Sequence, residues 1–151
     1  MARRTLIIHH LESMWNNSFK KIAGKDFETI SLELASALRR RKFDLVILTR
    51  FEDSRPEDGH FETGLAALVN VWEEYGYGWD LEESGQLELV GEEFAEGGSH
   101  SRHVLTPEWI KNLKGNKVTL CGAFDGECIE DMEIALKACQ VKFDRWEKFI
   151  F

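Results

Sequence analysis

The chain has 151 residues, 43% of them hydrophobic and 30% charged, which is enough for one domain with a hydrophobic core. Its formal net charge of −8 argues against nucleic acid or an anionic membrane as the main partner, because phosphate binding needs clustered positive charge. No segment approaches the roughly 18 apolar residues of a membrane span, and the first residues do not read as a signal peptide. Three cysteines without scaffold-like spacing favour reduced thiols, so we expect a cytoplasmic protein.

Short apolar runs alternate along the chain with segments of helical periodicity. We expect strands at residues 5–8, 43–49, 86–90 and 118–121, and one or two more within 141–151. We expect helices over residues 26–41, 63–75, 106–115 and 126–139. This alternation predicts a mostly parallel sheet with helices on both faces. Residues 1–151 are therefore predicted to form a single three-layer α/β/α domain with a Rossmann-like sheet of about five or six strands.

A cysteine follows one of the predicted strands, across a tight turn. Gly122 and Gly126 bracket this turn, and Asp125 is suited to be the N-cap of the next helix. Cys128 then takes the third helical position, where unpaired N–H groups and the helix dipole favour a thiolate. Such a cysteine is a candidate nucleophile. The alternative interpretation is a small residue packed at the start of a helix.

Polar residues follow several predicted strands. In open parallel sheets, ligands bind beyond the carboxyl ends of the strands, where the strand order reverses. The first strand ends at His9 and His10, and the strand at 118–121 leads to Cys128. If these two strands are neighbours, His10 and Cys128 face one crevice. Because successive residues of a strand point to opposite faces, at most one of the two histidines is expected to reach it.

The segment CGAFDGEC, residues 121–128, resembles the nucleophile turn of the isochorismatase-like cysteine hydrolases, whose pattern is roughly C-G-x-x-[TS]-[DN]-x-C-V. Cys121, Gly122, Cys128 and Ile129 match that pattern. Other parts of the chain resemble the family's first two strands and the stretch that precedes its nucleophile strand, in the order TLIIHHLESMW, DLVILTR and LTPEWIKNLKGNKVTLCG. The resemblance covers most of the chain and implies the same α/β fold.

The resemblance also implies site residues, with departures. The family uses an Asp–Lys–Cys triad; Cys128 falls on its cysteine, His10 stands at the Asp position, and no Lys lies between Lys42 and Lys111. His60, after Gly59, resembles a later Gly-His element of the family. Metal-binding members use one Asp and two His.

The first functional hypothesis is hydrolysis of a small amide or ester. Cys128 attacks the carbonyl, and His10 acts as base in place of the family's Asp. Backbone N–H groups of the turn at Gly126 and Glu127 stabilise the oxyanion. The neighbouring carboxylates oppose this chemistry, because a carboxylate close to a thiol raises the pKa of the thiol. Predicted pocket residues are Asp53, His60 and Asp125.

Two alternatives remain open. The chain is a catalytically inactive member of the family that acts as a binding or assembly module, or it holds a metal. No cofactor is expected, although histidines with Asp53, Asp58 or Cys128 supply zinc ligand types, and His60 and Asp53 are the weak candidates. The expected partner is a small molecule. The five Trp and ten Phe suggest an interface of a homo-oligomer.

Overall fold

Strands and helices alternate in the computed structural model, which describes residues 3–11, 27–41, 43–49, 87–90 and 108–151. The strands are β1 (Arg4–His9), β2 (Leu45–Thr49), β3 (Leu87–Val90), β4 (Lys117–Gly122) and β5 (Phe143–Ile150). The helices are α1 (Phe27–Arg40), α2 (Glu108–Lys111) and α3 (Cys128–Ala138). None of these described helices has the length and apolar character needed to cross a membrane. The helix predicted at 63–75 lies outside the described residues.

The strands form one parallel sheet in the order β3-β2-β1-β4-β5. The chain runs outward from β1 to β3, then returns past β1 to β4 and β5. The order therefore reverses between β1 and β4, and the predicted adjacency of these two strands is confirmed. The coarse prediction of an α/β fold with a parallel sheet is confirmed as well. The number of strands in the whole chain stays a prediction.

The central strands are apolar on both faces, as parallel strands covered by helices should be. All of β2 is buried, and so is β1 after its first residue. Leu6 and Ile8 share a core cluster with residues of α1, whereas Ile7 lies in a second cluster with residues of α2 and α3. Because neighbouring strand residues point to opposite faces, the two clusters lie on opposite sides of the sheet.

The predicted apolar face of α3 is confirmed. Ile129, Met132 and Leu136 are buried at helical spacing, and Ala135 joins them in the same cluster. The fourth predicted member, Cys139, comes directly after the last helical residue and is half-buried. This face fixes α3 against the sheet and so fixes the position of its first turn.

The last strand is irregular. Leu120 of β4 pairs with Arg145, but Gly122 pairs with Ile150, so residues 146–149 of β5 fall opposite the single residue Cys121. Where the sequence predicts one or two strands, the structure has one strand with this register shift. The shift allows Phe149 to enter the core beside α1, and it keeps the carboxyl end of β5 beside that of β4.

Candidate functional site

The candidate site is the sheet edge where β1 and β4 end, at the reversal of the strand order. His9 lies opposite Gly122 in the register, and the N–H of Ala123 donates to the His9 carbonyl at 2.9 Å. Gly122 has φ +126°, and a Cβ atom there would overlap the backbone of His9. Only glycine allows the two strand ends to approach so closely. The turn that leads to Cys128 therefore starts against the histidine pair.

The two histidines are buried, with 0% and 2% of their surfaces exposed. Their rings stack with centroids 3.8 Å apart and planes 22° apart. His10 leaves the strand geometry with φ +53°, a left-handed conformation in which histidine is enriched relative to most residues. The prediction that His9 and His10 point to opposite faces is wrong for this reason, because alternation holds only while the backbone stays extended.

Thr49, the last residue of β2, anchors the pair. Its Oγ1 lies 2.8 Å from Nδ1 of His9 and accepts from the backbone N–H of His10 at 3.3 Å. The same hydroxyl lies 3.4 Å from the carbonyl of Ile8. Thr49 thus fixes the orientation of the His9 ring. Sequence reasoning missed this residue, although a polar residue at the carboxyl end of a central parallel strand is a usable signal.

Burial sets the protonation of His10. Desolvation lowers the pKa of His10 from 6.5 to about 3, because a charged imidazolium loses its water there. At neutral pH the ring is therefore neutral. It can accept a proton, but a base with so low a pKa is far from the optimum for general-base catalysis near pH 7.

Cys128 is the first residue of α3 and is half-buried. The residue at the N-cap is Glu127, whose side chain makes no capping hydrogen bond. The predictions that Asp125 is the N-cap and that Cys128 is the third helical residue are therefore wrong. The N–H of Asp125 instead donates to the Phe151 carbonyl at 2.6 Å, and its carboxylate accepts from Arg145 at 3.0 Å. The thiol still lies at the positive end of the helix dipole.

Of the two predicted oxyanion donors, Glu127 already donates its backbone N–H within the turn. The N–H of Glu127 donates to the Phe124 carbonyl at 3.0 Å, and the N–H of Ile129 donates to the same carbonyl at 3.3 Å. These bonds define the turn and occupy Glu127, which therefore makes a poor oxyanion donor. Gly126, with φ +77°, remains the candidate for that role.

Arg145 of β5 donates hydrogen bonds to three carboxylates, one of which lies on the turn before Cys128. It donates to Asp125 at 3.0 Å, to Glu133 of α3 at 2.7 Å and to Glu147 at 2.7 Å. The hydrogen bond to Glu147 is the main cause of a further rise in the pKa of Arg145, and Asp125 and Glu133 add to it. Sequence reasoning missed Arg145, since nothing local marks a cation that lies 20 residues from its partner.

The three cysteines differ in environment. Cys121 is fully buried, and desolvation raises the pKa of its thiol well above the ordinary value, although the charge of Arg41 acts in the opposite direction. Cys139 is half-buried at the opposite end of α3 from Cys128. Cys128 is thus the cysteine that combines partial exposure with a helix N-terminus.

The metal hypothesis finds no cluster to support it within the ranges given above: no group of three or more His, Cys, Asp and Glu side chains there is arranged to hold an ion. Asp53, Asp58 and His60 lie outside the described residues, so their predicted roles stay predictions.

Comparison with known proteins leaves the family open. No protein-family model matches the sequence, and no curated protein is significantly similar to it. The α/β fold with its parallel sheet rests on the structure, and the isochorismatase-like family remains a prediction from sequence motifs.

Proposed function

We propose that this chain is an isochorismatase-like protein with a three-layer α/β/α fold, and that it hydrolyses a small amide or ester through Cys128. One observation carries the proposal: the strand order reverses between β1 and β4, and the helix that begins with Cys128 follows β4 at that edge. In α/β sheets, this reversal is where small molecules bind. The edge also holds the stacked rings of His9 and His10, and Gly122, where the turn starts, lies opposite His9 in the register.

The proposed reaction uses groups of both strand ends. The Cys128 thiol passes its proton to His10 and attacks the substrate carbonyl carbon. The N–H group of Gly126 stabilises the negative oxygen of the tetrahedral intermediate. The C–N or C–O bond then breaks, and the leaving amine or alcohol takes the proton from His10. Water attacks the resulting thioester, releases the acid and restores the thiol.

A second candidate function is a non-catalytic small-molecule binding module on the same fold. The burial of His10 favours it, because a pKa of about 3 makes the imidazole a weak base. The absence of a Lys between Lys42 and Lys111, where the resembling family has its catalytic Lys, points the same way. In this case the buried imidazoles act as hydrogen-bonding and stacking groups for a ligand.

Thiol mapping separates the two functions. The native protein is treated with iodoacetamide at a series of pH values, and alkylation of each cysteine is followed by peptide mass spectrometry. Cys139 serves as a half-buried reference thiol, and the buried Cys121 should stay unmodified. An activated Cys128 should react at least about tenfold faster than Cys139 at pH 7, because the thiolate is the reactive form. Equal rates would reject the nucleophile and leave the binding module.

A further inference from the structure

We propose that Arg145 is a positioning residue for Cys128: it pairs with the Asp125 carboxylate on the turn before the cysteine and so cancels the effect of that charge on the thiol. The inference deepens the proposed function and rests on Cys128 being the nucleophile. The strand β5 carries none of the predicted site residues, and the inference gives it a role in the chemistry of the site through Arg145.

The ion cluster of Arg145 joins three separate elements. Asp125 belongs to the turn before α3, Glu133 to the second turn of α3, and Glu147 to β5 itself. The side chains of Arg145 and Glu133 are 26% and 17% exposed, whereas those of Asp125 and Glu147 are 54% and 70% exposed. Partly buried pairs are screened by salt less than pairs at the surface. The pair with Glu133 therefore restrains α3 relative to β5, and the more exposed pair with Asp125 adds a weaker restraint on the turn.

Backbone bonds from the end of β5 act on the same turn. The N–H of Phe151 donates to the Gly122 carbonyl at 3.0 Å, and the N–H of Asp125 donates to the Phe151 carbonyl at 2.6 Å. Phe151 therefore bridges the first residue of the turn and its middle. Arg145 adds a side-chain bond to the residue that Phe151 already holds, so the turn is fixed from β5 by both backbone and side chain.

The charges around Cys128 explain why this cation matters for the thiol. Acidic residues precede and follow the cysteine on its own segment: Asp125, Glu127, Glu130 and Asp131. At the end of β1, the titratable groups are His9 and His10, and His10 is neutral. Negative charge near a thiol opposes thiolate formation, and an opposite charge beside the carboxylate offsets that effect. Arg145 supplies this charge at Asp125, where it makes a hydrogen bond of 3.0 Å.

The test measures the rate of Cys128 alkylation by iodoacetamide relative to Cys139 over a pH series. Arg145→Gln should slow Cys128 about threefold or more at pH 7 and move its profile to higher pH, since Asp125 is then an unbalanced charge. Arg145→Lys should restore much of the rate. The double variant Asp125→Asn/Arg145→Gln should also recover, because it removes the carboxylate together with the cation. Arg4→Gln is the matched control, because it removes an exposed arginine near Asp44 at the amino end of β1, away from the candidate site. It should leave the rate and the pH profile of Cys128 unchanged.

Each outcome bears on one of the two proposals. If wild-type Cys128 reacts no faster than Cys139, the proposed function fails. If wild-type Cys128 is fast and Arg145→Gln leaves its profile unchanged, only the role of Arg145 is overturned. A slow double variant would also overturn it, because the effect would then not pass through the charge of Asp125. Should Arg145→Gln fail to fold, Asp125→Asn alone decides: the proposal expects Cys128 to react faster, whereas a purely structural ion pair predicts slower reaction.

Discussion

The two strand ends that meet at the candidate site are built differently. At the end of β1, His9 and His10 are buried, stacked and anchored to Thr49. At the end of β4, the second half of the turn that leads to Cys128 (Asp125, Gly126 and Glu127) is exposed, and Asp125 takes part in the ion cluster of Arg145. The β1 end is thus buried, with a neutral His10, whereas the β4 end is exposed and charged.

This difference makes proton transfer between the two ends the difficult step of the proposed hydrolysis. Transfer of a proton from Cys128 to His10 would move positive charge into the buried end, where desolvation disfavours it. The attraction between an imidazolium and a thiolate would have to offset that cost. Hydrolysis therefore requires an imidazolium at His10 and a thiolate at Cys128 that stabilise each other. Ligand binding requires no proton transfer, so His10 stays neutral and buried.

The largest effect is expected where the two ends touch. Gly122→Ala should destabilise the protein by about 3 kcal/mol or more, because the new Cβ overlaps the His9 backbone and φ is +126°. Gly115→Ala is the matched control, with φ +90° and open space around the new methyl group. It should cost only about 1–2 kcal/mol, the penalty of a left-handed alanine. Urea unfolding of both variants measures the difference, and similar losses would show that β1 and β4 approach less closely.

The second prediction concerns the buried end, where His10 should make the free energy of unfolding depend on pH. His10 has a lowered pKa in the folded protein, so below pH 6.5 the unfolded chain binds a proton that the folded protein does not. The stability that comes from neutral His10 is therefore complete above pH 6.5 and is lost as the pH falls from 6.5 towards 3. One such proton changes the free energy of unfolding by up to about 1.4 kcal/mol per pH unit.

His10→Asn isolates this contribution, since asparagine tolerates the left-handed backbone of residue 10. Between pH 7.5 and 5, the wild-type free energy of unfolding should fall by about 2 kcal/mol more than that of the variant. Urea unfolding at several pH values gives both curves. Parallel curves would mean that His10 titrates alike in the folded and unfolded states, and the contrast between the two strand ends would then lose its basis.

Much of the fold follows from local patterns in the sequence. The apolar runs of β1, β2 and β4 predict buried parallel strands, and the periodicity of residues 26–41 predicts the helix that the structure has at 27–40. The glycines at both ends of the Cys128 turn predict a tight turn with unusual backbone angles, and the positive φ angles of Gly122 and Gly126 agree with this. Such features depend on residues close together in the chain, so a single sequence reveals them.

The details of the site depend on distant partners, which local patterns do not contain. His9 and Thr49 are 40 residues apart, and Arg145 and Asp125 are 20 apart. Asp125 has a typical N-cap residue type, yet Arg145 holds its carboxylate, and the helix begins later than the sequence indicates. The stacked histidines required a left-handed residue at the end of a strand, which an alternating pattern cannot indicate.

The smallest expected effect tests the anchor of the buried end. Thr49→Val removes the hydroxyl that holds Nδ1 of His9 and accepts from the backbone of His10, and should destabilise the protein by about 1–2 kcal/mol. Thr5→Val is the control: Thr5 is equally buried, but its hydroxyl accepts one long bond, from Asn116 at 3.4 Å. It should therefore lose about 0.5 kcal/mol or less. Urea unfolding ranks the two variants, and ¹⁵N shifts of the His9 ring should change in Thr49→Val alone. If the two variants lose equal stability and the His9 shifts stay constant, Thr49 does not orient the histidine, and the buried end is held by packing.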